Sequence, residues 1–252
     1  MVRRFATLEE LSRAAAEEVC AVSRTAVQDR GRFVWALAGG STPRRLYELV
    51  AELPRHDRID WQRVEVFFGD ERGVPPDHPE SNLRLAKESL LDRVGLPPSC
   101  VHRIRGEEPD LQAEARRYQE EMAQVFGISS TQAPPALDLI VLGMGSDGHT
   151  ASLFPGWPAL DEEHRWFVAS ESPTTPSRRV TATLPLLNAA RNVFFLVAGA
   201  DKAVALHQVL GGPRDPRRLP AQLVVPVGRL VWFVDQAAAA ALDATAEQGA
   251  AT

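Results

Sequence analysis

The chain has 252 residues, 44% of them hydrophobic, with a formal net charge of −5 and two cysteines. That is enough apolar material for one sizeable core, and Lys and Arg are mixed with Asp and Glu, which excludes a nucleic-acid or polyanion binder. Cys20 and Cys100 form no CxxC, so no disulfide framework is implied and a reducing, cytoplasmic setting is expected. The N-terminus has no apolar signal region and no stretch approaches the about 20 apolar residues of a membrane span, so neither export nor a membrane partner is expected.

In chain order, Thr7-x-x-Glu10 is a capping box that opens an amphipathic helix to about Arg30, with Leu8, Leu11, Ala15, Val19, Val22 and Ala26 on its apolar face. Phe33–Ala38 reads as the first strand, ends in Gly39-Gly40, and is followed from Thr42-Pro43 by a helix through Leu53, with Thr42 as a candidate N-cap. Val64–Phe68 is a second strand leading into a charged loop, Asp70-Glu71-Arg72, then a proline-rich segment and a helix bearing Leu83, Ala86, Leu90 and Leu91. Leu111, Ala115, Tyr118, Met122 and Val125 mark the next helix, and Leu137–Leu142 the next strand. Further strands are expected at Trp166–Ala169, Val180–Leu184, Val193–Ala198 and Leu230–Val234. A helix after Gly199-Ala200-Asp201-Lys202 runs to about Leu210, and an Ala-rich tail frays beyond about residue 240.

Apolar strands alternating with amphipathic helices predict a single α/β domain over 1–252, Rossmann-like, with a mainly parallel sheet covered by helices on both faces. Ligands of such sheets bind outside the carboxyl ends of the strands. Four loops hold that position: Gly39–Pro43, Gly69–Gly73, Gly143–Thr150 and Gly199–Lys202.

The stretch Gly143-x-Gly145-x-x-Gly148 after an apolar run imitates a dinucleotide fingerprint, and Glu171 stands near the place of its acidic residue. Pro155-Gly156-Trp157-Pro158 stops the helix that fingerprint needs, and His149 occupies the position where backbone should meet a pyrophosphate. The turn reads better as chemistry at a loop tip, with Asp147 two residues from the His149 ring and able to fix its tautomer. Gly39, Gly40, Ser41 and Thr42 offer free N–H groups and hydroxyls to a phosphate, although the P-loop pattern fails. Arg72 can fork onto a carboxylate or phosphate, and Lys202 can reach an anion at the same edge. Each alone is equally an ordinary turn or a solvated charge; their convergence is the signal. The other histidines show no metal-ligand spacing, so no metal is expected. Ser146 and Ser152 lack the G-x-S-x-G setting of a nucleophile.

Four segments, "LAGGSTPRRLYELV", "FFGDERGVPPDHPESN", "DLIVLGMGSDGHTASLFPG" and "RRVTATLPLLNAARNVFFLVAGADKA", resemble the 6-phosphogluconolactonases, in order and over roughly residues 7 to 240. The glucosamine-6-phosphate deaminases/isomerases share the GGSTP loop, the DGH turn and the Gly-x-x-Lys element. The resemblance implies a deaminase-like α/β fold, no cofactor, a sugar-phosphate lactone as partner, a cytoplasmic place in the oxidative pentose phosphate pathway, and a monomer or weak homo-oligomer. It implies that Gly40, Ser41, Thr42, Arg179 and Lys202 bind the 6-phosphate end, that Gly39 and Gly145 admit backbone close to the ligand, that Asp70 and Arg72 line the lactone end, and that His149 is the general base. The division of Arg72, Arg179 and Lys202 between the two ends stays open. The deaminase pattern continues from its histidine as G-H-I-A-F-N-E-P, where this chain has Phe154 in place of the glutamate, and it carries a tyrosine where this chain has Arg72. A sugar-phosphate sensor is disfavoured because about 32 residues precede the first expected strand as one helix, leaving no room for a DNA-binding module.

Overall fold

The computed structural model describes residues 1–52 and 59–249, with side chains to residue 242. Its strands are β1 (Val2–Phe5), β2 (Phe33–Leu37), β3 (Val64–Phe68), β4 (Asp70–Arg72), β5 (Leu139–Leu142), β6 (Phe167–Glu171), β7 (Arg178–Ala182), β8 (Asn192–Val197) and β9 (Arg229–Asp235). Its helices are α1 (Leu8–Arg30), α2 (Ser41–Glu52), α3 (Asn82–Ser89), α4 (Leu111–Phe126), α5 (Leu184–Ala189), α6 (Ala203–Gly211) and α7 (Gln236–Gly249). A six-stranded sheet has the order β1-β9-β8-β5-β2-β3 with every pairing parallel. Strands β2 and β5 are buried along their whole length, which is why they read as unbroken apolar runs.

One half of the capping box forms, with the Glu10 N–H donating to Thr7 Oγ1 at 3.2 Å, whereas the Glu10 carboxylate accepts from the N–H of Ala6, one residue before the cap, at 3.0 Å. Gly31, with φ +76, closes α1 by donating to the Val27 carbonyl. Two buried tyrosines then fix the strand ends that feed the loops. Tyr47 donates to the Ala38 carbonyl and accepts from the Ala38 N–H at the end of β2. Tyr118, from α4, accepts from the Phe68 N–H at the end of β3 and donates to the His102 carbonyl.

Several expectations are corrected. The first strand is β1, not Phe33–Ala38: Val2-Arg3-Arg4-Phe5 is too short and charged to show a pattern, and its extended form comes from pairing with β9. Asp70–Arg72 is a strand and not a loop. It joins β7 and β6 in a separate antiparallel sheet of order β4-β7-β6, so the strands expected at Trp166–Ala169 and Val180–Leu184 do not extend the parallel sheet. Leu184 opens the short helix α5. Helix α2 starts at Ser41, which places Thr42 inside it and not at its cap, and the expected extension through Leu53 lies outside the described residues. No α-helix follows Gly148 before Leu184, so the dinucleotide geometry is not built. Among the described residues no helix is long and apolar enough to cross a membrane.

His102 ties α4 to the parallel sheet. Its ring stacks on Phe67 with centroids 4.3 Å apart and is held by Glu121 at 2.7 Å and Glu65 at 2.9 Å. Burial works against the charged ring, but the bonds to Glu121 and Glu65 outweigh it and raise the His102 pKa above its ordinary value of 6.5. Burial likewise opposes ionisation of Glu121, and the bonds from His102 and Arg117 hold its carboxyl below the ordinary 4.5. The histidine's contribution is therefore complete below its unfolded pKa and lost as pH rises through the higher folded one; that of Glu121 is complete above 4.5 and lost as pH falls. His102→Gln is expected to cost roughly 2 kcal/mol in denaturant unfolding between about pH 4.5 and 6.5, and less at either extreme.

Candidate active site

The carboxyl ends of β2 and β5 are adjacent, but the chain leaves them in opposite directions across the sheet: β3 lies on one side of this pair and β8 on the other. This is the topological switch point, where an open parallel sheet forms a crevice. A cavity of about 240 Å³ occupies it. The turn after β2 contributes Gly39, Gly40, Ser41 and Thr42, and β4 contributes Asp70 and Arg72. Gly143, Gly145 and His149 come from the turn after β5, and Lys202 from the turn after β8. All four loops expected from the sequence therefore meet in one pocket. Ala38, Pro43, Met144, Ala151 and Leu196–Ala198 complete its wall.

The turn carrying His149 is held from several sides. Gly145 N–H donates to the His149 carbonyl, Gly148 N–H to the Gly145 carbonyl, and Ala221 N–H to the Gly148 carbonyl. Gly148 has φ +80 and a Cβ there would meet Leu219 at 2.7 Å, so both its conformation and its surroundings require glycine. Gly145 meets a steric constraint of its own. A Cβ would stand 2.1 Å from His149 Nδ1 and 2.5 Å from Asp147 Oδ1, so the missing side chain makes room for that pair.

Asp147 accepts from the His149 backbone N–H at 3.1 Å and lies 2.6 Å from Nδ1 of its ring. Burial opposes the Asp147 charge, but the hydrogen bond to His149 prevails and holds the carboxyl below its usual range. An ionised carboxylate only accepts hydrogen bonds, so Nδ1 carries the proton. In the neutral ring Nε2 is then left with a free lone pair. Phe154 packs against the other side of the imidazole, 4.4 Å between centroids.

Cations gather at the same site. Lys202 Nζ is 3.0 Å from Asp201, and both lie in a short 3-10 turn. The turn is anchored by Asp235, unmarked in the sequence, whose carboxylate accepts from the Gly199 and Ala238 N–H groups. Arg72 stands opposite Arg179 in the β4–β7 pairing. Arg179 is not among the residues lining the cavity. It is 6% exposed, and among the described residues its buried Nη1 has no hydrogen-bond partner. Burial, and then the neighbouring Arg72, lower its pKa.

Known proteins place the chain. The family described as glucosamine-6-phosphate isomerases/6-phosphogluconolactonase matches residues 6–232. The chain belongs to this family. A 6-phosphogluconolactonase of Synechocystis sp. is 42% identical over 222 residues, covering 87% of this chain and 90% of its own. The solved 6-phosphogluconolactonase from Trypanosoma cruzi is 29% identical and superposes with a TM-score of 0.84 over 96% of each chain. A monomeric glucosamine-6-phosphate deaminase, 24% identical, superposes with a TM-score of 0.78 over 95% of this chain and 99% of its own, so family membership carries the shared fold.

A buried guanidinium with one unpaired donor, beside a second guanidinium, is a charge that an anion relieves and that an apolar side chain removes. Inorganic phosphate is therefore expected to raise the melting temperature of the wild type. Arg179→Met should melt at or above the wild type without phosphate and respond to phosphate much less, which thermal scans across a phosphate series would measure.

Proposed function

We propose that the protein hydrolyses a sugar-phosphate δ-lactone, 6-phospho-D-glucono-1,5-lactone, to 6-phosphogluconate. The observation that carries this reading is a histidine with its Nε2 lone pair left free by Asp147, in the same small cavity as a glycine turn, a lysine and Arg72. The names of the relatives agree with it.

His149 Nε2 takes a proton from water as the water oxygen bonds to C1 of the lactone, and Asp147 stabilises the imidazolium that results. Charge collects on the former carbonyl oxygen, where Arg72 or backbone N–H groups of the glycine turns meet it. The tetrahedral intermediate collapses by breaking the bond from C1 to the ring oxygen, which receives its proton from His149. Neither an acyl-enzyme nor a cofactor enters this scheme. Lys202 holds the phosphate with Ser41, Thr42 and the Gly40 N–H, Arg179 adds positive charge beside Arg72, and Asp70 receives hydroxyls near the lactone end.

The competing reading is ring opening and deamination of an amino-sugar phosphate, which the family name also covers. One position argues against it. Phe154 stands where the deaminase pattern has its glutamate, 5% exposed and packed on His149, and a phenyl ring carries no proton. Purified protein should accelerate opening of the lactone above its spontaneous hydrolysis and release no ammonia from glucosamine 6-phosphate; catalytic ammonia release at a matching rate would reverse the assignment. His149→Ala should abolish turnover while leaving the melting temperature close to that of the wild type, because the side chain is 31% exposed. Lys202→Ala should raise KM for the phosphorylated lactone about tenfold or more and change that for the unphosphorylated lactone little, since a charge-assisted bond to phosphate is lost only with the former.

A further inference from the structure

Asp70 lines the cavity yet is only 8% exposed, and each oxygen of its carboxylate takes a donor from a different part of the chain. Asn82 Nδ2, at the start of α3, donates to Oδ1 at 3.1 Å and to the Asp70 backbone carbonyl at 2.9 Å. Ser152 Oγ donates to Oδ2 at 2.6 Å. The amide orientation of Asn82 is set by chemistry, because Asp70 offers it two acceptors and only the NH2 end can serve both.

Ser152 is itself fixed by the antiparallel sheet. Its N–H donates to Thr181 Oγ1 at 3.1 Å, its carbonyl accepts from Ser170 Oγ at 3.0 Å, and Thr181 is the residue opposite Asp70 in the β4–β7 pairing. Ser152 lies three residues after His149, so its hydroxyl ties the turn carrying the imidazole to the strand carrying Asp70. Asn82 makes a second tie. Its Oδ1 is buried without a partner among the described residues and stands 1.8 Å from where a Cβ on Gly39 would be, so this amide fills the space beside the glycine turn.

We propose that Ser152 and Asn82 are positioning residues that hold the Asp70 carboxylate in fixed orientation and fixed register with His149. Each leaves an Asp70 oxygen with a further lone pair for a substrate hydroxyl. The Ser152 hydroxyl, 1% exposed and committed as a donor, is thereby a bracket between the His149 turn and strand β4 and not a nucleophile. This inference rests on the lactonase reading and on the place of Asp70 in it.

The test is Ser152→Ala, which removes one buried oxygen atom, assayed for lactone hydrolysis beside the wild type with melting temperatures recorded. We expect kcat to fall about tenfold or more and KM to stay within about twofold, because the loss falls on alignment at the reacting end and the phosphate contacts remain. Asn82→Asp, equal in volume but presenting an acceptor to Asp70, should lower kcat further; if it does not fold, Ser152→Ala decides alone. A folded Ser152→Ala enzyme with kcat within about twofold of the wild type, or with KM rising as much as kcat falls, would overturn the proposal. Wild-type protein without lactone turnover would overturn the lactonase reading and this inference with it, whereas an active wild type with an unimpaired Ser152→Ala variant overturns the inference alone.

Discussion

Everything about the site follows from the reversal of strand order between β2 and β5. Strands added on one side of β2 and on the other side of β5 carry their right-handed crossovers over opposite faces of the sheet. The loops leaving the two central strands must then diverge, and backbone N–H groups, glycines and short polar side chains are left facing a gap that no crossover helix fills. The cavity is where it is because of connectivity, and the residues in it are those that the strand ends deliver.

The second, antiparallel sheet supplies what the parallel sheet cannot. Its strand β4 begins one residue after Gly69, close to the end of β3, and brings Asp70, Glu71 and Arg72 to the rim. The two carboxylates are costly to bury, and the surroundings offset this in different ways. Glu71, 3% exposed, accepts from the N–H groups of Arg72, Asn82 and Leu83 and from the Ser81 hydroxyl, which anchors β4 to the first turn of α3. Burial still raises its pKa, with those three backbone bonds pulling the other way. Asp70 is satisfied by two neutral donors, Asn82 and Ser152, each set by a separate element. Arg179, which faces Arg72 from β7, keeps its buried Nη1 without a hydrogen-bond partner among the described residues.

The glycines illustrate how one residue type serves different constraints. Gly106 must lack a side chain because the Arg72 carbonyl would lie 2.1 Å from its Cβ, which lets the segment after His102 pass directly beneath β4. Gly145 yields space to the Asp147–His149 pair and Gly39 to Asn82. The glycines of the cavity thus bring protein groups together, and the packing around His149 and Asn82 is built partly from absent atoms.

What the sequence determined by itself was local or periodic. The parallel strands are buried on both faces and so appear as continuous apolar runs; the helices present apolar residues at intervals of three and four; the capping box at Thr7 needs only four residues to be recognised. The four site loops were legible because polar and glycine residues followed apolar runs, and His149 with Asp147 because the two lie within one turn. Tertiary structure decided what depends on residues far apart in the chain. Strand β1 exists through β9 and β4 through β7, and neither has a pattern of its own. Arg179 could be placed at the phosphate end only through resemblance, because its burial and its position opposite Arg72 arise from a pairing across more than a hundred residues. Ser152 and Asn82 were visible as letters beside recognisable motifs, but their hold on Asp70 spans 82 and 12 residues respectively. A hydrogen bond of that separation has no period in sequence; it appears only once two sheets have folded against each other.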